Sequence, residues 1–261
     1  MPSYLKIDPH MTPQELRQQA YREKYKASEP AWEDSVMRLA RLFREHAAPD
    51  MTVLDAGCGR ANYVLESNSA SLRRVIGVDA SKEATEGNTL ADPIVVADLE
   101  ALPFEDGLFD AVTSLWVLEH VRSPERVFRE IRRVLKPGGK FFFVTPYAFS
   151  YVLLAKRLLG GRFTSFVLAK LYGRTEDDTF RTEYAANTAR DLRRLLAEAG
   201  MRELTLIENP DPSYLAFGPF FYRLALLIQR LASLLGLKIA TMHLVGVFEK
   251  PEDSESGRSL D

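Results

Sequence analysis

The stretch Val53-Leu54-Asp55-Ala56-Gly57-Cys58-Gly59-Arg60 constrains this chain more than any other. An apolar run that ends in an acid and then passes through two glycines one residue apart reads as a buried strand feeding a tight turn. Glycine has no Cβ and enters the left-handed region freely, so the turn at Gly57–Gly59 lets a ligand come close to the backbone. The dinucleotide fingerprint requires a third glycine where this sequence has Asn62, which disfavours a nicotinamide enzyme. A phosphate-binding P-loop requires Gly-Lys-Ser/Thr after the turn, which Arg60-Ala61 does not supply.

Two later strands repeat the pattern of an apolar run closed by an acid. Residues 73–79 end in Asp79 and residues 94–98 end in Asp98. Asp79 follows the turn at the distance, about 20 residues, at which a βαβ unit presents a carboxylate to the two hydroxyls of a ribose. Asp55, Asp79 and Asp98 are thus expected along one edge of a parallel sheet, the edge at which open α/β sheets bind ligands. A fourth strand is expected over 110–115, with 116–120 as a loop or first helical turn. A helix opened by Ser123 and Pro124 follows and is stopped by Lys136-Pro-Gly-Gly139; a fifth strand runs over 140–145.

Around this core, residues 1–11 read as irregular. Thr12-Pro13-Gln14-Glu15 looks like the start of a helix running to about Tyr25, and a second helix spans about 31–45. Residues 187–199 form an amphipathic helix ending at Gly200, 203–208 a sixth strand, 243–248 the last strand, and 251–261 a polar disordered tail. The whole is one domain over 1–261: N-terminal helices (1–48), the ligand-binding core (49–146), an apolar and basic insertion (147–186), and the rest of the core (187–250).

Two stretches, 147–175 and 214–238, are apolar and basic at once. The first has Lys156, Arg157, Arg162, Lys170 and Arg174 before any acid; the second has Arg223, Arg230 and Lys238 and no acid. Three readings stay open for 214–238: a cap packed on 147–172, a homodimer interface, or a helix lying in a membrane surface.

Composition closes off other classes. The 34 basic and 36 acidic residues leave a net charge of −2, which gives no global attraction to nucleic acid. The single cysteine, Cys58, excludes a disulfide framework, and four scattered histidines provide no zinc-ligand spacing, so no metal is expected. Neighbouring acids at Glu176-Asp177-Asp178 read as a solvated loop. No signal-peptide pattern or spanning apolar run is present, and the cytoplasm is the expected compartment, with peripheral contact at the inner membrane surface if the basic stretches meet lipid.

The motifs VLDAGCG (53–59), VIGVDAS (75–81), VADLEALPFEDGLFDAV (96–112), WVLEHV (116–121) and LKPGGKFFFVTP (135–146) together resemble the class I, seven-stranded S-adenosylmethionine-dependent methyltransferases, in particular their small-molecule branch. The resemblance covers the central third of the chain closely and the last strand in outline. It implies a Rossmann-like α/β sheet of order 3-2-1-4-5-7-6 with the last strand antiparallel, here with N-terminal helices and an apolar helical cap. It also implies S-adenosyl-L-methionine as cofactor and S-adenosyl-L-homocysteine as product. Asp55 and the Gly57-Cys58-Gly59 backbone would hold the methionine part, Asp79 with Ala80 the ribose, and Asp98 with the Leu99 amide the adenine. Leu115 and Trp116 would line the pocket. The family usually has glycine at position 61, where this chain has alanine. His120 is the candidate to take a proton from a hydroxyl acceptor, Glu119 reads as structural, and Tyr21, Tyr25 and Trp32 as packing. The expected acceptor is a lipid-like or lipid-linked hydroxyl such as a glycolipid precursor. The alternatives are an aromatic or quinone-like small molecule, or a non-catalytic adaptor that keeps the fold.

Overall fold

The computed structural model describes residues 13–159, 182–215 and 217–252. In chain order the strands are β1 (Met51–Ala56), β2 (Leu72–Asp79), β3 (Ile94–Val96), β4 (Phe109–Leu115), β5 (Leu135–Pro146), β6 (Arg202–Pro210) and β7 (Thr241–Glu249). The helices are α1 (Pro13–Ser28), α2 (Ser35–His46), α3 (Tyr63–Glu66), α4 (Pro124–Val134), α5 (Tyr151–Leu159), α6 (Ala189–Glu198) and α7 (Pro219–Leu234). One seven-stranded sheet has the order β3-β2-β1-β4-β5-β7-β6. Strands β1 to β5 run parallel, and β7 is antiparallel to both β5 and β6.

The central strands are covered on both faces, which is why they read as continuous apolar runs rather than alternating ones. Side chains of β5 divide by the two-residue strand period: Phe141 and Phe143 join Val127, Phe128, Ile131, Leu192 and Leu196 beneath α4 and α6. Phe142 and Val144 join Leu39, Phe43, Val53 and Leu65 beneath α2 and α3.

Several expected boundaries shift for identifiable reasons. Helix α2 begins at Ser35 rather than Ala31, because Asp34 caps it, its Oδ1 accepting from the Val36 amide at 2.9 Å. β5 begins at Leu135 rather than Lys140: Lys136-Pro-Gly-Gly139 stops α4 at Val134, as expected, and itself forms a bulge at the register break between Phe109 and Ala111, with Gly138 at φ 75°. β3 stops at Val96, so Asp98 lies two residues beyond the strand rather than at its end. Its one neighbour among the described strands, β2, offers Gly77, Val78 and Asp79 as partners and ends there. α1 continues to Ser28, and the segment after the glycine turn forms only the single helical turn 63–66.

The stretch 214–238 becomes a 3₁₀ turn, Pro212–Leu215, followed by α7. Its inward side chain Tyr222 faces the N-terminal helices. The Tyr222 ring packs tilted against Tyr21, centroids 4.4 Å apart, and shares a small cluster with Tyr25 and Trp32, which are packing residues. Among the described residues, the stretch after Tyr147 meets this region where the Tyr151 amide donates to Ile239 O. Residues 1–12, 160–181 and 253–261, including the expected start at Thr12, Glu176-Asp177-Asp178 and most of the tail, lie outside the described residues.

Candidate active site

Two chambers meet at the glycine turn. The first, of about 450 Å³, has Asp79, Ala80, Asp98, Leu99 and His120 in its wall; the second, of about 570 Å³, has Asp55, Cys58, Asn62 and Tyr63. Gly57, Gly59, Leu115 and Trp116 border both. Every residue expected from the sequence to touch the ligand therefore lines one chamber or the other.

The two glycines have different tasks. Gly57 takes φ 78°, and a Cβ there would lie 2.2 Å from Val117 Cγ2, so its bare backbone makes room for the protein's own β4–α4 loop. Gly59, at φ 42°, faces open space, with its nearest neighbour, Ala84 O, 4.0 Å from where a Cβ would stand. The room for a ligand is at Gly59. Both the Gly57 and Cys58 amides donate to Val78 O, which pins the turn to β2. Cys58 is buried against Gly77, and burial together with Asp55 and Asp79 pushes its thiol up to about 12, so it acts as a small apolar residue.

The acids are held differently. Asp79 accepts from the Gly59 amide through Oδ2 and from the Ser81 amide through Oδ1, both at 3.0 Å, which fixes its carboxylate at the lip of the first chamber. Asp98 is exposed, and its Oδ1 accepts from the Glu100 amide at 2.9 Å. Asp55 is buried. Its Oδ1 accepts from Asn62 Nδ2 at 2.7 Å and Thr113 Oγ1 at 3.1 Å, while Oδ2 has no hydrogen-bond partner among the described residues. Burial dominates, against the opposing pull of these two bonds, and raises the carboxyl to about 7. An unpartnered, deeply buried carboxylate oxygen beside a chamber is a place for a cationic group.

Trp116 takes φ 60°, outside the usual range for a bulky residue, and sets its ring edge-on to His243 with centroids 4.7 Å apart. His243 is buried and bonded on both nitrogens, Nδ1 to Ser35 Oγ at 2.9 Å and Nε2 to Tyr214 Oη at 2.8 Å. Asn209 Nδ2 donates to the same Ser35 Oγ at 2.8 Å. Burial holds His243 down at about 4, hence neutral. His120 lines the first chamber, with Nε2 4.0 Å from Glu119 Oε1. Glu119 is buried and tied to the scaffold. Its Oε2 accepts from Thr145 Oγ1 at 3.2 Å, its carbonyl accepts from the Glu183 and Tyr184 amides, and burial raises its carboxyl.

Sequence reasoning read Asn62 only as an absent glycine and did not find Thr113, or the polar chain behind Trp116. Asn62 had a legible signal: an Asn immediately before the run Tyr63-Val64-Leu65 is an N-cap, and it caps α3 through Oδ1, which accepts from the Leu65 amide. Ser35, Asn209, Tyr214 and His243 lie on four separate elements, and no local spacing relates them.

Residues 54–143 match the family described as "Methyltransferase domain". That stretch is a methyltransferase domain. Outside that match, the likeness rests on curated relatives and on the fold. Over 124 residues (44% of this chain) it is 35% identical to the ubiquinone biosynthesis O-methyltransferase of Chromobacterium violaceum, spanning 53% of that protein. Over 96 residues (34% of this chain) it is 36% identical to a sterol 4-C-methyltransferase of Caenorhabditis elegans, spanning 29% of it. The chain thus spans from under a third to about half of the curated relatives it matches. Among solved structures, geranyl diphosphate C-methyltransferase from Streptomyces coelicolor A3(2), bound to S-adenosyl-L-homocysteine, superposes with a TM-score of 0.55. The match covers 95% of this chain and 87% of that one at 17% identity. The methyltransferase domain therefore has the S-adenosylmethionine-dependent class I fold, with small-molecule enzymes among its relatives.

Proposed function

We propose that the chain transfers a methyl group from S-adenosyl-L-methionine, held across the two chambers, to a hydroxyl of a lipid-like or lipid-linked acceptor such as a glycolipid precursor, with S-adenosyl-L-homocysteine as product. The observation that carries the cofactor assignment is the pair of unlike carboxylates flanking an open glycine. Asp79, already aimed by the Gly59 and Ser81 amides, suits two ribose hydroxyls. Asp55, with one buried oxygen unpartnered, suits the ammonium of the methionine end. Asp98 and the Leu99 amide are assigned the adenine edge, Ala80 the ribose rim, and Leu115 and Trp116 the wall between the ends.

The cofactor supplies a methyl group already activated on a sulfonium, so the chain's task is alignment of a nucleophile at about 3 Å rather than covalent catalysis. His120 is assigned the proton of a hydroxyl acceptor, since it lines the chamber and Glu119 stands behind it. The lipid-like acceptor is supported by the named sterol and ubiquinone relatives and by the greasy basic stretches 147–175 and 214–238, through which peripheral contact with the inner membrane surface is assigned. No helix among the described residues is long and apolar enough to cross a membrane.

A second reading, an aromatic or quinone-like acceptor, is favoured by the partly exposed Trp116 ring at the chamber wall. Titration calorimetry with S-adenosyl-L-methionine and S-adenosyl-L-homocysteine tests the cofactor site; absence of affinity for both would leave a non-catalytic adaptor. A mass-resolved screen of lipids, lipid-linked sugars and quinols for a gain of one methyl then separates the acceptors.

A further inference from the structure

The helix Pro219–Leu234 is built inside out for a helix that ends at solvent. Its inward face is made of Tyr222, Ala225 and Ala232. Its outward pole is the stripe Phe220, Leu224, Leu227, Leu231 and Leu234, which recurs at steps of four and three residues and so lies along one line of the helix. These side chains are exposed, Phe220 by 70%, Leu227 by 52% and Leu234 by 81%, and the chain continues with Leu235 and Leu237 also exposed. A run of this size on a surface marks an interaction site. The helix precedes β7, whose His243 pairs with Pro146 at the end of β5.

The four-three spacing also fits a coiled-coil seam with a second copy, and charge decides between the two. Arg223 and Arg230 are seven apart on one flank of the stripe, both exposed and without an ion-pair partner among the described residues. The other flank is Phe221, Ile228 and Leu235. From Pro212 to Phe248 there is no Asp or Glu. A second copy of this helix would meet the arginines with leucine-type side chains in a parallel pair, or with arginines in an antiparallel one. An anionic bilayer meets the broad apolar face with acyl chains and the arginines with headgroups.

We propose that the outward face of helix Pro219–Leu234 is a docking surface for an anionic lipid bilayer, seated through Phe220, Leu224, Leu227, Leu231 and Leu234 and flanked by Arg223 and Arg230. This face is independent of the acceptor: methyl transfer could fail with every lipid and the bilayer would still bind.

The test is cosedimentation of the full chain with vesicles of phosphatidylcholine alone and of phosphatidylcholine mixed with phosphatidylglycerol, at low and high salt. The expected result is binding to the mixed vesicles that weakens with salt, falls about fivefold for each of Arg223→Gln and Arg230→Gln, and is lost in the Leu227→Glu/Leu231→Glu double variant. Equal binding to neutral and anionic vesicles, or none at low salt, overturns the proposal. A second measurement identifies any other occupant. Cys58 is buried, so a Leu227→Cys variant takes a polarity-sensitive dye at that position alone. An emission shift only on adding mixed vesicles supports the bilayer. The same shift without vesicles overturns it, in favour of a second copy if ultracentrifugation shows a dimer and of the chain's own covering segment if it shows a monomer.

Discussion

Asn62 Nδ2 donates to Asp55 Oδ1 at 2.7 Å, so the side chain that stands in place of a third glycine fixes the acid at the head of the ligand turn. That acid is held near pH 7 by burial, far above its unfolded value, and it therefore binds a proton in the folded chain that the unfolded chain has released. Its contribution to stability is complete below about pH 4 and is lost as pH rises to about 7. Asp55→Asn removes this slope. Urea unfolding at pH 5 and pH 8 is expected to show the variant gaining on the native chain at the higher pH. An ammonium group beside Asp55 favours the carboxylate, so cofactor binding near pH 6.5 should release a proton, read as a buffer-dependent heat in calorimetry. Asp55→Asn should abolish that dependence.

His243 acts in the opposite direction. Burial holds it at about 4, below its unfolded value of 6.5, so its contribution is complete above about pH 6.5 and is lost as pH falls to about 4. In the Asp55→Asn background the loss of stability on acidification through this window should steepen, because the compensating acid is gone. A His243→Gln change in the same background should flatten it again.

The two glycines can be separated by what they damage. Gly57→Ala places a methyl at positive φ, costing roughly 1–2 kcal/mol, and drives it into Val117. Its melting temperature should fall, with partial rescue by Val117→Ala. Gly59→Ala also sits at positive φ but meets nothing closer than Ala84 O at 4.0 Å, so it should lower stability less, and its methyl would project into the chamber proposed for the cofactor. The loss there should appear in cofactor affinity, measured by calorimetry.

Asp79→Ala removes a charged acceptor for two hydroxyls and frees the Gly59 amide it holds. A loss of about 1.5–3 kcal/mol in cofactor binding is expected. Unchanged affinity would place the ribose elsewhere.

His120→Ala should lower kcat for a hydroxyl acceptor by about 10²-fold or more while leaving cofactor affinity near the native value. Equal loss in affinity and in turnover would make it a wall residue only.

What was legible followed from local order. Val53–Gly59, the acid at 79 and the Phe-rich strand 140–145 each carry their meaning within a few residues, and the sheet order came with the resemblance those motifs support. Lys136-Pro-Gly-Gly139 does stop α4, at Val134, but that the same run also opens β5 was not legible, because proline and glycine punctuate a chain alike whether they end an element or bend it. The polar chain Ser35–His243–Tyr214 was invisible because its members meet only when α2, β7 and the 3₁₀ turn after β6 converge. The exposure of α7 was likewise undecided by sequence: an apolar stripe specifies that something covers it, and only the packing of Tyr222 on Tyr21 shows which side the protein covers itself.

The waist formed by Gly57, Gly59, Leu115 and Trp116 makes one site out of two. A ligand lying across it behaves as a pair of tethered ligands, each end raising the local concentration of the other. Adenosine and methionine offered separately should each occupy their own chamber weakly and without competing. The joined molecule should bind more tightly than either part alone, because the covalent link has already removed part of the entropy that the second part would lose.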